Sequence, residues 1–216
     1  MRAYLTLLLL VLLAGCASHP APTESYSVAP DASPLGRRIQ QLAATQPDGY
    51  SGFRLLAEST EAFTARSEMI RAAQLSLDVQ YYIWHRDLTG LVLLDELHQA
   101  AERGVRVRLL LDDNGIDGLD ADLAALNAHP NVEVRLFNPF ILRRPKALGY
   151  AFDFVRLNRR MHNKVLIADG AVTILGGRNI GDIYFAYGAG PHYLDTDVIA
   201  VGRVAADAGE EFDRYW

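Results

Sequence analysis

The composition of this 216-residue chain excludes an intrinsically disordered protein, because half of its residues are hydrophobic and only 22% are charged. The net charge of -5 at pH 7 argues against a general nucleic-acid-binding protein, whose surface would carry an excess of positive charge. We therefore do not expect nucleic acid as a partner.

Residues 1–15 have the pattern of a secretory signal peptide. Arg2 supplies the charged start, and the apolar run from Leu5 to Leu13 is too short to span a bilayer. The run ends in LAGC (residues 13–16), which resembles the lipobox of bacterial lipoproteins and implies cleavage before Cys16 and acylation of its thiol. The single cysteine of the chain fits a lipid anchor better than a disulfide. An ordinary signal peptide with an incidental cysteine is the alternative.

A lipidated Cys16 predicts a location in the cell envelope of a Gram-negative bacterium, on the periplasmic side. Ala17 rather than aspartate follows the cysteine, which favours the outer membrane. Residues 16–48 contain five prolines among serine, threonine and alanine, a composition typical of a flexible linker. The globular domain is therefore expected to cover residues 49–216.

Helical and strand patterns alternate through the first part of this domain. Helices are predicted at 62–73, 87–104 and 119–128, and strands at 75–84, 105–113 and 132–137. The β-α-β-α-β order predicts an α/β fold with parallel strands, whose ligands gather at the carboxyl edge of the sheet.

The stretch between Arg143 and Lys164 is strongly basic. It contains seven basic residues against one acid, Asp153; the basic residues are Arg143, Arg144, Lys146, Arg156, Arg159, Arg160 and Lys164. Such a local positive field attracts a phosphate, although a solvated basic loop has the same composition.

Two short apolar strands follow, at 163–168 and 171–175. Asp169-Gly170 between them is a strong signal for a two-residue hairpin turn. Side chains alternate along a strand, so His162 and Lys164 point the same way, and two such groups together call for an anion. The second strand leads into GGRN (residues 176–179), where Gly176 and Gly177 would let backbone N–H groups approach that anion and Asn179 offers an amide.

These residues match H-x-K-x4-D-x6-G-(G/S)-x-N, the signature of the phospholipase D superfamily, with Gly177 at a position where serine is commoner. The resemblance extends over nearly all of residues 49–216. It is strongest to the N-terminal half of bacterial cardiolipin synthases of the C type. It implies a phospholipase D-like sandwich with a mixed, largely parallel sheet flanked by helices.

The resemblance also implies roles for the matched residues. The neutral imidazole of His162 would attack phosphorus and form a phosphohistidine, while Lys164 and Asn179 bind the non-bridging oxygens. Asp195 matches the acid that orients the histidine, with Asp197 in reserve because both share a strand face. Asp169 is a structural turn residue, and no metal or cofactor is expected.

The resemblance leaves the reaction and the completeness of the site open. The first expectation is phosphatidyl transfer between phospholipids at a membrane. The alternative is hydrolysis, by a secreted phospholipase D or a single-motif endonuclease that acts as a homodimer. A non-catalytic lipoprotein with the same fold is the third.

The family's site uses two motifs and this chain has one, so we expect the second from a C-terminal half absent here or from a homodimer partner. Truncation of a longer protein is favoured because the N-terminal segments match the longer family, and the sequence also ends within a helical pattern. The apolar face of that helix, with Val204, Phe212 and Trp216, would need a surface to pack against.

Overall fold

The computed structural model describes residues 25–47, 49–142 and 145–216. Its strands are β1 (Ser51–Leu56), β2 (Ser76–Ile83), β3 (Arg106–Gly115), β4 (Val132–Phe137), β5 (Lys164–Ala168), β6 (Val172–Gly176) and β7 (Asp197–Gly202). They form one sheet in the order β1-β7-β6-β5-β2-β3-β4. The predicted signal peptide and Cys16 lie outside the described residues.

Six α-helices and one short 3-10 helix accompany the sheet in the described part of the chain. They are α1 (Pro34–Ala43), α2 (Ser59–Ala72), α3 (Leu88–Glu102), α4 (Asp120–Asn127), α5 (Lys146–Leu157), the 3-10 helix Asp182–Tyr184 and α6 (Arg203–Tyr215). None of these helices is both long and apolar enough to cross a bilayer.

The α/β class, the mixed sheet and the flanking helices are confirmed, whereas the sheet is not largely parallel. Strands β2, β3 and β4 pair in parallel, and the other four neighbouring pairs are antiparallel. The reason lies in the connection after β4, which stays at the edge where β2, β3 and β4 end. There Asp113 accepts a hydrogen bond from the Phe140 N–H and Asp112 accepts one from the Met161 N–H. Strand β5 therefore starts at this edge and runs back antiparallel to β2.

We call this edge of the sheet the site edge. Strands β2, β3, β4 and β6 end there, and β5 and β7 begin there. The amino-acid pattern does not indicate β1, because five of its six residues are exposed and show no alternation of apolar and polar side chains. Its pairing with β7 provides the stabilising interaction instead.

Part of the stretch 16–48, expected as a flexible linker, is folded onto the domain. Helix α1 begins after Ser33, whose hydroxyl accepts a hydrogen bond from the Gly36 N–H at 2.9 Å, and Pro34 occupies the first helical position. Ser27 donates to the Asp213 carboxylate of α6 through its N–H at 2.7 Å and its hydroxyl at 2.8 Å. Prolines that indicate a linker by composition thus start a helix in this context.

Apolar side chains cover both faces of the sheet. The larger core packs α2, α3 and α4 against one face, and the smaller packs Phe212 of α6 against Leu110, Val165 and Ile167 on the other. Phe212 is completely buried, and Trp216 stacks on it with ring centroids 5.6 Å apart. The apolar face of the last helix therefore finds its surface within this chain.

Asp169 lies in the β5–β6 turn, at the opposite end of β5 from His162. It has a φ of 53° and Gly170 a φ of 62°, the left-handed pair of a type I′ turn. The buried Asp169 carboxylate accepts hydrogen bonds from the N–H groups of Gln74, Leu75 and Ser76 at 2.8 to 3.2 Å. This side chain therefore ties the hairpin to the start of β2.

Replacing Asp169 tests that tie. Asp169→Ala should lower the free energy of unfolding by about 3 kcal/mol, because three backbone N–H groups lose their buried acceptor and alanine disfavours a positive φ. Asp169→Asn should lose less, since asparagine tolerates this φ and keeps one acceptor oxygen. Urea titration at constant m-value measures both. The matched control is Asp207→Ala, which removes only an exposed ion pair with Arg203. A loss below about 1 kcal/mol in Asp169→Ala contradicts the structural role.

Candidate active site

His162 and Lys164 come together at the site edge. Lys164 opens β5 and pairs with Tyr81 near the end of β2, and His162 lies just before it. Asn179 follows β6 and accepts a hydrogen bond from the Ile83 N–H, which places it at the end of β2 as well. The structure thus gathers three of the four polar motif residues around the carboxyl end of one central strand.

The His162 ring is exposed and lies against Tyr82, with centroids 4.9 Å apart and planes tilted by 46°. Lys164 Nζ is 3.1 Å from His162 Nδ1 and donates to the His162 carbonyl oxygen at 2.7 Å. A protonated ammonium has only donors, so a hydrogen bond from Lys164 to Nδ1 corresponds to the imidazole tautomer that carries its proton on Nε2.

Lys164 is a poorly solvated cation. Its side chain is buried, and its Nζ lies 5.4 Å from the centroid of the Tyr82 ring. Burial lowers the pKa of the Lys164 ammonium, and the nearby charge of Asp195 opposes this shift. An ammonium with little water around it gains more from an incoming phosphoryl oxygen than a solvated one does.

Asn179 is buried and held at both ends of its amide. Its Oδ1 accepts from the Ile83 N–H at 3.1 Å, and its Nδ2 donates to the Tyr184 hydroxyl at 3.1 Å. No motif position marks Tyr82 or Tyr184, and sequence reasoning missed both. The only signal for Tyr82 was its place near the carboxyl end of a predicted strand.

Gly176 and Gly177 are needed for a reason other than the one the sequence suggests. A Cβ on Gly176 would lie 1.9 Å from Asp197 Oδ1, and one on Gly177 would lie 1.8 Å from Asp195 Oδ1. The Gly177 N–H donates to the Thr196 carbonyl at 3.1 Å, so it is not directed at a ligand. The two glycines therefore make room for two carboxylates, and a serine at position 177 would require the Asp195 side chain to move.

The two candidate acids have different surroundings. Asp197 is fully buried and binds Arg66 at 3.0 Å and Arg178 at 3.2 Å, so the reserve assignment of Asp197 to His162 is wrong. Its carboxylate compensates two guanidinium groups that the sequence pattern does not reveal. Asp195 is partly buried, accepts from the Thr196 N–H at 3.0 Å, and acts electrostatically on Lys164. Its predicted contact with His162 remains a prediction.

The described residues contain no cluster of three or more His, Cys, Asp or Glu side chains that could hold a metal ion. Among the described residues, Lys164 supplies positive charge at the site edge, and Arg160, two residues before His162, binds Asp112 at 2.9 Å. The arrangement offers an exposed imidazole beside a desolvated ammonium and a fixed amide. These are the elements that a phosphoryl group needs for nucleophilic displacement at phosphorus.

Comparison with protein families matches residues 67–216 to the family described as cardiolipin synthase, PLD-like domain. Cardiolipin synthase C of Escherichia coli (strain K12) is 54% identical over 182 residues, which are 84% of this chain and 38% of that protein. The chain thus spans less than half the length of this relative.

Two solved structures share the fold. Nuc from Salmonella typhimurium, a phospholipase D family member, has a TM-score of 0.54 at 18% identity and covers 77% of this chain and 95% of its own. Phosphatidylserine synthase from Haemophilus influenzae Rd KW20 has a TM-score of 0.54 at 19% identity and covers 82% of this chain and 40% of its own. At these identities the likeness concerns the fold.

The charge of Asp195 should set the pH range of anion binding. In wild type, sulfate binding should weaken as pH rises through the pKa of Lys164, because only the ammonium attracts the anion. Asp195→Asn removes the charge that raises this pKa, so the loss should begin at lower pH, while binding at neutral pH becomes stronger. Calorimetry with sulfate, whose charge is constant over this range, measures both effects. Asp207→Asn on exposed α6 is the control, and an unchanged profile in Asp195→Asn would refute the coupling.

Proposed function

The chain belongs to the phospholipase D-like family of cardiolipin synthases, and on that basis we propose that the protein transfers phosphatidyl groups between lipid alcohols through a phosphohistidine. The observation that carries the proposal is the meeting of His162, Lys164 and Asn179 at one sheet edge. Each of these side chains offers a group that suits a phosphodiester. His162 offers an exposed nucleophile, Lys164 a desolvated cation and Asn179 a fixed amide donor.

The proposed reaction proceeds by two displacements. His162 Nε2 forms a bond to phosphorus while the bond to the leaving alcohol oxygen breaks, and an acid supplies the proton to that oxygen. An acceptor alcohol then attacks the phosphohistidine, gives its proton to the same group, and displaces the imidazole. Lys164 and Asn179 stabilise the charge on the non-bridging oxygens in both steps.

We further propose that the acid is the histidine of a second motif. It would come from a C-terminal half, as the greater length of the cardiolipin synthase C relative suggests, or from a second copy of this chain. Among the described residues, the ring of His85 lies 6.1 Å from the ring of Tyr184, whose hydroxyl accepts a hydrogen bond from Asn179.

A lipid substrate is supported by exposed apolar side chains on both sides of the site edge. They lie on the segment around α5, which leads directly into His162, and on the loop before Asp195. We call this set the exposed rim; it consists of Ile141, Leu142, Leu148, Phe154, Val155, Tyr187, Tyr193 and Leu194. Exposed apolar groups flanked by basic residues suit a membrane interface better than a nucleic acid.

The proposed location follows from the N-terminal sequence. Acylation of Cys16 would hold the protein at the periplasmic side of a Gram-negative envelope, at the outer membrane by the sorting pattern. Residues 17–24 would then link the anchor to Ser25, the first residue described on the folded domain. This tether keeps a lipid-modifying site close to its substrate.

Hydrolysis by a homodimer is the second candidate. The observation in its favour is that Nuc, which shares the fold, is almost entirely covered by this chain, so one such domain can form a whole chain. Two copies related by two-fold symmetry could each supply a His162 to a common site. Water would then replace the acceptor alcohol in the second step.

Substitution of the nucleophile tests the proposed chemistry. His162→Ala should abolish turnover of phosphatidylglycerol without unfolding the domain, because His162 is exposed and the hairpin core comes from buried residues such as Val165 and Ile167. Product analysis with phosphatidylglycerol, phosphatidylethanolamine and DNA distinguishes transfer from hydrolysis and lipid from nucleic acid.

A brief reaction with labelled phospholipid should leave an acid-labile phosphoramidate on wild type and none on His162→Ala. The matched control is His98→Ala, an exposed histidine on α3 that faces Glu102. Near-wild-type turnover in His162→Ala would exclude a phosphohistidine at this position.

Metabolic labelling tests the proposed anchor. Palmitate should label the wild-type protein, which should fractionate with membranes. Cys16→Ser should remain unlabelled, since the acylated thiol is removed. Equal labelling of the two proteins would rule out acylation at Cys16.

A further inference from the structure

Tyr184 occupies a fixed place behind the phosphate-binding amide. It ends the 3-10 helix Asp182–Tyr184, its ring is buried, and its hydroxyl accepts a hydrogen bond from Asn179 Nδ2 at 3.1 Å. The start of this short helix is tied to α3, because Asp182 accepts from the Thr89 N–H at 2.8 Å and donates its own N–H to Asp87 at 2.7 Å. Tyr193 packs against the ring at 5.2 Å.

The Asn179 amide has three hydrogen-bonding positions that matter here. Its Oδ1 is taken by the Ile83 N–H and one Nδ2 hydrogen by the Tyr184 hydroxyl. These two contacts lie at opposite ends of the amide and define the orientation of its plane. Because the amide plane is fixed by these two contacts, the direction of the second Nδ2 hydrogen is fixed as well. This hydrogen is the one that remains for a phosphoryl oxygen.

We propose that Tyr184 is a positioning residue that orients the Asn179 amide towards the phosphoryl group. The inference rests on the proposed function in one respect, namely that Asn179 binds a phosphoryl oxygen. Tyr184 acts through its hydroxyl as an acceptor, so phenylalanine keeps the packing and removes only the contact. Without the acceptor, the amide plane is held by Oδ1 alone and can rotate about that contact.

The charge state of the phenol supports this role. Burial raises the pKa of Tyr184, the hydrogen bond from Asn179 opposes the increase, and the neighbouring Tyr193 and Asp195 add to it. The hydroxyl therefore remains protonated at neutral pH. It accepts from Asn179 as a neutral group, whereas a tyrosinate next to the amide would repel a phosphate.

A double-mutant cycle tests the proposal. In the active form of the protein, Tyr184→Phe should lower kcat/KM by about five- to tenfold, mostly through kcat, which is the range expected for one buried hydrogen bond. In an Asn179→Ala background the same substitution should have no further effect, because its target is gone. Tyr50→Phe, an exposed tyrosine just before β1 and outside the site and the exposed rim, is the matched control and should behave as wild type.

Sulfate affinity provides a readout that does not depend on turnover. Tyr184→Phe should weaken sulfate binding when it is introduced into the wild-type protein and leave sulfate binding unchanged when it is introduced into the Asn179→Ala variant. If wild type binds sulfate but turns over no lipid or nucleic acid, the proposed function fails while the positioning role is still measured. Equal effects of Tyr184→Phe in the two backgrounds, or no effect at all in wild type, would overturn the positioning role of Tyr184. Unchanged thermal unfolding of Tyr184→Phe shows that the fold is retained.

Discussion

The structure of the site edge depends on one buried carboxylate. Asp197, at the start of β7, binds Arg66 of α2 and Arg178 of the turn after β6, and also accepts from the Arg178 N–H at 3.1 Å. All three side chains are almost completely buried. Removing one partner of such a network leaves an uncompensated charge and costs about 3–5 kcal/mol. The network thereby joins a helix, a strand and the motif turn into one rigid unit.

This rigidity explains how a polar turn can present Asn179 in a fixed orientation. Arg178 directly precedes Asn179 and also donates to the Leu56 carbonyl oxygen at 2.9 Å, so the backbone at this point is held by two strands. Asp195 lies two residues before β7 and outside the network, next to Gly177, where its charge reaches Lys164. One acid thus builds the turn and the other sets the electrostatics of the cation.

The motif residues could be predicted because their relation is local: a short hairpin determines which side chains share a face. Asp169, His162, Lys164 and Asn179 all belong to that hairpin or its ends. The role of Asp197 could not be predicted, since alternation predicts the same face for Asp195 and Asp197. The two acids differ because Asp197 binds Arg66, which is 131 residues away in the sequence. The direction of β5 could not be predicted either. It depends on tertiary contacts between the connection around α5 and the ends of β3 and β4, and such contacts leave no periodic signal in the sequence.

The remaining feature is an asymmetry of exposure. Lys164 and Asn179 are buried, whereas the His162 imidazole and the side chains of the exposed rim face solvent. Fixed donors stabilise developing charge far better when water is excluded, so in the proposed reaction this open side has to be covered while phosphorus is attacked. The proposed second motif would cover it and bring the proton for the leaving oxygen with one surface. The lipid chains of the proposed substrate, lying against the rim, would exclude further water.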